Sequence, residues 1–210
     1  MAIRAGEPWG VACDSAPDVT IEGDDAALLR AVTTNPGALI RFEPVPSSQI
    51  GRVLGLVSGS APSGIAVPMD LLRLSDGRAA VNMVILGTPP DRQRWHTRVV
   101  DFGPPTGTAT AVVVANGQFR NGVDLVPRGH PGDGRAEVHT YRLQRRERSA
   151  MRGRLASGTH VPHPRIETHS ARTVSFQAPG SVSIEIDGRP CSQVAEITVS
   201  VVPNAYRLLL

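Results

Sequence analysis

The stretch AVVVANGQFRNGVDLVPRGHPGDGRAEVHTYRL, Ala111–Leu143, decides how the rest of the chain is read. It opens on a continuous apolar run and breaks at Asn116-Gly117. It then crosses a segment dense in Gly and Pro and resumes after Asp133-Gly134 as Arg135–Leu143. A short apolar run bounded by turn residues reads as a buried strand, and Gly and Pro punctuate the turns. Strands joined by turns are therefore expected on either side.

Toward the N-terminus, IAVPMDLLRLS and RAAVNMVILG flank Asp76-Gly77, which reads as a two-residue hairpin turn of type I′. Further strands are expected at Thr97–Phe102, Thr108–Ala115, Thr173–Gln177, Ser181–Ile186, Glu196–Val202 and Tyr206–Leu209. So many short antiparallel candidates imply a β-sandwich or an open barrel. The composition agrees: 18 Pro, 21 Gly and only 4% aromatic residues favour turns and short strands over long helices. One helix interrupts the strands, near Arg145–Ala156, with Leu143, Ala150, Met151 and Leu155 on one side and arginines on the rest.

All 22 basic residues are arginine, and against 19 acids they leave +3, too weak a charge to argue for nucleic acid. The local density is higher. YRLQRRERSAMRGR, Tyr141–Arg154, holds six Arg against one Glu. It reads either as a solvated face or as a surface for anionic lipid or phosphate. Cys13 and Cys191 stand alone, and the opening MAIRAGEPWG lacks the apolar core of a secretory leader, so a reduced, cytoplasmic protein is expected. No apolar run approaches the roughly 20 residues that cross a bilayer, so any membrane contact is expected to be peripheral.

Before Ile65 the pattern differs. Strand Asp18–Glu22 leads to helix Asp24–Thr33, and strand Ala38–Phe42 leads through PVPSSQ to a helix around Ile50–Leu56. The loop VSGSAPSG follows and sets an expected boundary between residues 1–62 and 63–210. The fold class is α+β.

In this order the motifs resemble the diacylglycerol kinase and sphingosine kinase family of lipid kinases. VVVANGQFRNGVDLVPRGHPGDGRAEVHTY resembles a family segment in which a buried strand ends in Asn-Gly, a Gly-rich turn follows and Asp-Gly opens the next strand. LASGTHVPHPRI resembles the family's Gly-x-His segment, SIEIDGRP its Asp-Gly-Glu segment and VVPNAYRLLL its closing strand. IEGDDA stands where the family has Gly-Gly-Asp-Gly-Thr, and PVPSSQIGRVLGL where it has a second, Gly-Thr-x-Asn-Asp loop. The resemblance implies a lipid-kinase-type antiparallel β-sandwich over 63–210. It implies that 1–62 is a truncated remnant of an α/β nucleotide domain, with fewer residues ahead of the first loop than the family has.

It also implies degenerate nucleotide loops, carried by Gly23, Asp25, Ser47, Ser48, Gln49 and Asn116. Glu22 and Asp25 replace glycines, Ala26 replaces the Thr hydroxyl, Pro46 and Ser47 stand for Gly-Thr, and Gln49 stands for Asn. A carboxylate about 4 Å from a phosphate charge is repelled by roughly 1 to 4 kcal/mol. The family's general base, the Glu of Asp-Gly-Glu, is Arg189 here, and a guanidinium cannot accept a proton. Asp24 and Asp187 are the remaining catalytic candidates, and Asp133 is a candidate metal residue.

Bland readings stand beside these. Asp24 and Asp25 also read as a helix cap and a first-turn acid, Asp133 as a turn residue and Asn116 as a strand end. His160 and His163 have ligand-like spacing, but Pro162 and Pro164 argue against a helix presenting both. The expectation is a non-catalytic relative that binds lipid or a protein partner, with no cofactor. The alternative is an active kinase using ATP and Mg²⁺ on a lipid hydroxyl. Arg142, Arg145, Arg146, Arg148 and Arg152 are the expected membrane-facing cations.

Overall fold

The computed structural model describes residues 8–59 and 61–210. Residues 1–7, within the stretch read for a leader, and Ser60, within the expected boundary loop, lie outside the described residues.

In chain order the elements are β1 (Val11–Ala12), β2 (Val19–Gly23), α1 (Asp25–Thr34), β3 (Leu39–Pro44), α2 (Gln49–Val53), β4 (Ile65–Leu74), β5 (Ala79–Ala80) and β6 (Met83–Gly87). After a 3₁₀ turn at Pro90–Arg92 come β7 (Val100–Asp101), β8 (Thr108–Ala109), β9 (Ala111–Ala115), β10 (Phe119–Arg120), β11 (Val123–Asp124) and β12 (Ala136–Tyr141). Then follow α3 (Glu147–Ala156), β13 (Ile166–Ala171), β14 (Thr173–Val182), β15 (Ile184–Ile186), β16 (Arg189–Pro190) and β17 (Val194–Leu209).

Two sheets stack. One runs β13-β12-β9-β6-β15-β16, all antiparallel. The other runs β1-β4-β17-β3-β2, with β14 also on β17 and β5 on β4. Alternate residues of the two sheets, among them Leu72, Val84, Val112, Val138, Phe176, Ile184 and Val199, meet in the sandwich core. The outer face of the first sheet buries Ile85, Val113 and Tyr141 under Met151 and Leu155 of α3. The outer face of the second is covered by α1 and α2, where Leu28, Val32 and Ile50 pack on Phe42, Met69, Tyr206 and Leu208. The α+β class and the sandwich are as the sequence implies.

Strand β17 explains why the two halves of the chain meet. One of its edges pairs antiparallel with β4 from Val199 to Leu209. The other pairs antiparallel with β14 over Glu196–Ser200, then parallel with β3 over Arg207–Leu209. The register shifts between Val202 and Tyr206, where Pro203 has no N–H and Asn204 adopts φ 52°. The strands expected at Glu196–Val202 and Tyr206–Leu209 are thus one bent strand. Since β3 and β2 are added in parallel, the second sheet is mixed, and it runs through both sides of the 62/63 boundary.

Turn chemistry accounts for the other differences. Helix α2 stops after five residues because Gly55, at φ 65°, closes it: Gly55 N–H bonds Arg52 O and Leu56 N–H bonds Gly51 O. At Asp76-Gly77 only Gly77 has positive φ, 90°, so the link is a three-residue turn with Leu74 N–H bonded to Arg78 O. Type I′ geometry occurs elsewhere, at Asn121-Gly122 (φ 49° and 78°) and Asp187-Gly188 (φ 46° and 78°). The strand expected over Thr97–Phe102 narrows to β7.

Candidate functional site

Gly23 ends β2 with φ 150°, and a Cβ there would lie 2.5 Å from that of Ala27, so glycine alone lets the chain turn into α1. Asp24 caps the helix, its Oδ1 accepting from the amides of Ala26 at 3.1 Å and Ala27 at 3.0 Å. Asp25 reaches to α2 instead. Its Oδ1 accepts from Ser48 Oγ at 2.6 Å and from the amides of Gln49 at 3.0 Å and Ile50 at 3.1 Å. Ser48 Oγ in turn accepts from the Gly51 amide at 2.9 Å. Exposed N–H groups at a helix start ordinarily attract anions. Here two side-chain carboxylates already hold them. Burial pushes the Asp25 carboxyl above the usual range, against the pull of Ser48, Ile50 and Gln49.

The two type I′ turns face these caps. In the β15–β16 hairpin, Asp187 accepts from the amides of Val81, Asn82 and Met83, each at 2.9 Å. Burial pushes its carboxyl up to about 7 despite those three donors. Arg189, on the far side of the turn, places Nη2 2.8 Å from Asp24 Oδ2. Desolvation is the largest single influence on Asp24 and raises its pKa, but the Ala27 and Ala26 amides and the Arg189 guanidinium together outweigh it and hold the carboxyl below the usual range. In the β10–β11 hairpin, Arg120 is 1% exposed. It donates Nε and Nη2 to Glu185 at 2.6 and 2.8 Å, and Nη1 to Asp91.

Between caps and turns lies a cavity of about 200 Å³. Asp24, Asp25, Ala26, Ser47, Gln49, Asp187 and Arg189 line it, so seven residues singled out in the sequence converge there. Gly188 of the Asp187 turn and Asn82, Arg120 and Asn121 complete it, and the last three were not singled out. Arg120 carried no local signal, because its partners Asp91 and Glu185 are 29 and 65 residues away. The Asn121-Gly122 dipeptide was the readable clue to that hairpin.

Other expected residues fall elsewhere. Ser48 is buried at the α2 cap. Asn116 is fully buried, its side chain bonded to Asp70 O at 3.2 Å, and it is not on the cavity wall. Asp133 accepts from the Arg135 amide at 2.9 Å as a turn residue, also off the wall. Among the described residues no cluster of three His, Cys, Asp or Glu is placed to hold a metal. His160 sits in the core with Nε2 2.9 Å from Leu125 O, whereas His163 accepts from the Arg165 amide.

The arginine helix needs two corrections. Arg148 is 2% exposed and donates to the carbonyls of Leu143, Arg94, Trp95 and Thr97, so it faces the protein and not a membrane. Ala150, expected on the packed side, is exposed. Arg142 is paired with Glu167 at 2.7 Å, and Arg152 is half-buried, leaving Arg145 and Arg146 exposed among the five.

The profile of the YegS C-terminal NAD kinase β-sandwich-like domain matches residues 80–210, more than half of the chain. The chain belongs to that family. The YegS-type match begins at β5 and includes β17, the strand that carries the sandwich into the N-terminal half. Solved structures extend the likeness of fold across the whole architecture. A diacylglycerol kinase from Bacillus anthracis superposes with TM-score 0.68 at 13% identity, covering 91% of this chain and 76% of that one. An NAD kinase from Archaeoglobus fulgidus in complex with ATP superposes with TM-score 0.54 at 12% identity, covering 92% and 78%. No curated protein sequence matches. The resemblance to lipid kinases read from the sequence is borne out. Within the YegS-type sandwich, Asp187 and Arg189 lie inside the matched segment, while Asp24 and Asp25 lie before it.

Proposed function

We propose that this member of the lipid-kinase family binds a lipid or protein ligand without transferring phosphate. One observation carries the reading: the amides at the starts of α1 and α2 are already occupied by Asp24 and Asp25. A nucleotide phosphate arriving there would meet carboxylates in place of donors, and phosphoryl transfer depends almost wholly on positioning and charge stabilisation. The resemblance places Arg189 where the family has its general base, and Arg189 instead neutralises Asp24 across the cavity.

The second reading, a phosphotransferase with Asp187 as base, draws on the position of its carboxyl near pH 7, a suitable value for proton transfer. Against it, both oxygens of Asp187 are committed to the Val81–Met83 amides, so accepting a proton would strip that turn of its anchor.

The test is transfer of labelled phosphate from Mg·ATP to diacylglycerol in mixed micelles. The expected result is no product above a protein-free control. Product formation that Asp187→Asn abolishes would establish the second reading.

A further inference from the structure

The 3₁₀ turn that supplies Asp91 to Arg120 runs on into Gln93–Val99, a segment with an unusual surface. Trp95 is 66% exposed and Val99 51%, both large apolar side chains facing water. Arg94 and Arg98 are exposed between and beside them. The segment is nonetheless held in place. Buried Arg148 of α3 donates Nη1 to the carbonyls of Arg94, Trp95 and Thr97 at 3.3, 3.1 and 2.6 Å. The Arg94 amide bonds Thr97 Oγ1 at 2.7 Å, and Gln93, fully buried, ties the root of the loop to Thr88 and Thr110.

Arg148 thus joins the loop to the start of α3, where Arg145 and Arg146 are exposed. A groove of about 470 Å³ links the two, with Val99 on one side and Arg142, Arg145 and Arg165 among its walls. Arg142 and Arg165 are neutralised by Glu167 and Glu147. Among the described residues, Arg94, Arg98, Arg145 and Arg146 make no salt bridge.

An exposed indole and a valine ringed by unpaired guanidinium groups match a bilayer interface. The rings settle at headgroup depth, and cations near an anionic leaflet contribute on the order of 1 kcal/mol each. We infer that the Arg94–Val99 loop and the N-terminal turn of α3 form a docking face for an anionic membrane surface. Trp95 and Val99 enter the interface, and Arg94, Arg98, Arg145 and Arg146 meet headgroup phosphates. Arg148 sets the loop's position from below. The inference rests on residues outside the Asp24–Arg189 cavity and stands whether or not phosphate is transferred there.

The test uses the full chain with vesicles of phosphatidylcholine containing increasing phosphatidylglycerol. Co-sedimentation should rise with phosphatidylglycerol and fall with salt, because screening shortens the reach of the charges. The chain has two Trp, so Trp9→Phe leaves Trp95 as sole reporter, and its emission should shift to the blue on binding. Should Trp9→Phe not fold, the difference between wild type and Trp95→Phe gives the same signal. Replacing Arg94, Arg98 and Arg145 by Gln should weaken binding on the order of 100-fold with the melting temperature nearly unchanged. Three results would each overturn the inference: no sedimentation with anionic vesicles, sedimentation without a Trp95 shift, or equally tight binding to single-stranded RNA in place of vesicles.

Discussion

The cavity between α1, α2 and the Asp187 hairpin, and the surface beside α3, are both rich in charge but treat it in opposite ways. In the cavity each charged group has a partner: Asp24 with Arg189, Arg120 with Glu185 and Asp91, Asp25 with Ser48 and two amides, and Asp187 with three amides. Beside α3, Arg148 is absorbed into the fold and Arg142 and Arg165 are paired with Glu167 and Glu147, but Arg94, Arg98, Arg145 and Arg146 stay in water without counter-ions among the described residues. Self-neutralised charge holds a fold together, whereas unpaired charge is available to a ligand. The surface is thus better equipped to meet an anion than the cavity that resembles a nucleotide site.

If that contrast holds, breaking a cavity pair should damage folding first. Arg120→Met leaves Glu185 and Asp91 without their main cation, with Arg92 3.7 Å from Glu185 as the only other salt-bridge partner of either among the described residues. Such removal of one buried partner costs about 3 to 5 kcal/mol. Denaturant titration should show that loss, and Arg120→Met combined with Glu185→Leu should recover part of it, since two apolar side chains leave less charge stranded. Equal losses in the single and double variants would show that packing, not pairing, explains the cost. The Asp24–Arg189 pair differs in kind: at 38% and 60% side-chain exposure it contributes little to stability and acts by occupying the cavity mouth.

The effect of pH sharpens the comparison from beneath α3, where His139 is 2% exposed and its Nδ1 has no partner. Burial lowers its pKa from 6.5 to about 4. Between those values the unfolded chain binds the extra proton and the folded one does not, so His139 withdraws stability as pH falls from 6.5 toward 4. Asp187 works the other way. Its carboxyl is raised from 3.8 to about 7, so its burial destabilises increasingly as pH rises through that range. Across the overlap the two slopes oppose. Replacing His139 by Gln should therefore shift the stability difference in the variant's favour by up to about 3 kcal/mol between pH 6.5 and pH 4. A difference that does not change with pH would mean that His139 reaches solvent in the folded protein.

What was legible in the sequence follows the range of the interactions involved. The apolar runs of β6 and β9 and the Asn-Gly and Asp-Gly turns were readable, because periodicity and positive φ are local properties. The dipeptide alone did not decide the turn type: Asp76-Gly77 forms a three-residue link, whereas Asp187-Gly188 forms the type I′ turn. The parallel seam of β3 with β17 joins residues more than 160 positions apart, and no local pattern announces it. At the site, Asp24, Asp25, Asp187 and Arg189 were found because they occupy motif positions. Arg148 was misplaced because helical spacing shows which residues are charged but not which carbonyls of a distant loop will receive them.

The most direct test of the central claim is calorimetric titration of the full chain with Mg·ATP carried to millimolar concentration. Because Asp24 and Asp25 already hold the amides that a phosphate would need, the dissociation constant should be no tighter than about 1 mM, a binding free energy of about 4 kcal/mol. Saturable binding in the micromolar range would show that the two carboxylates yield to the nucleotide, and would contradict the account.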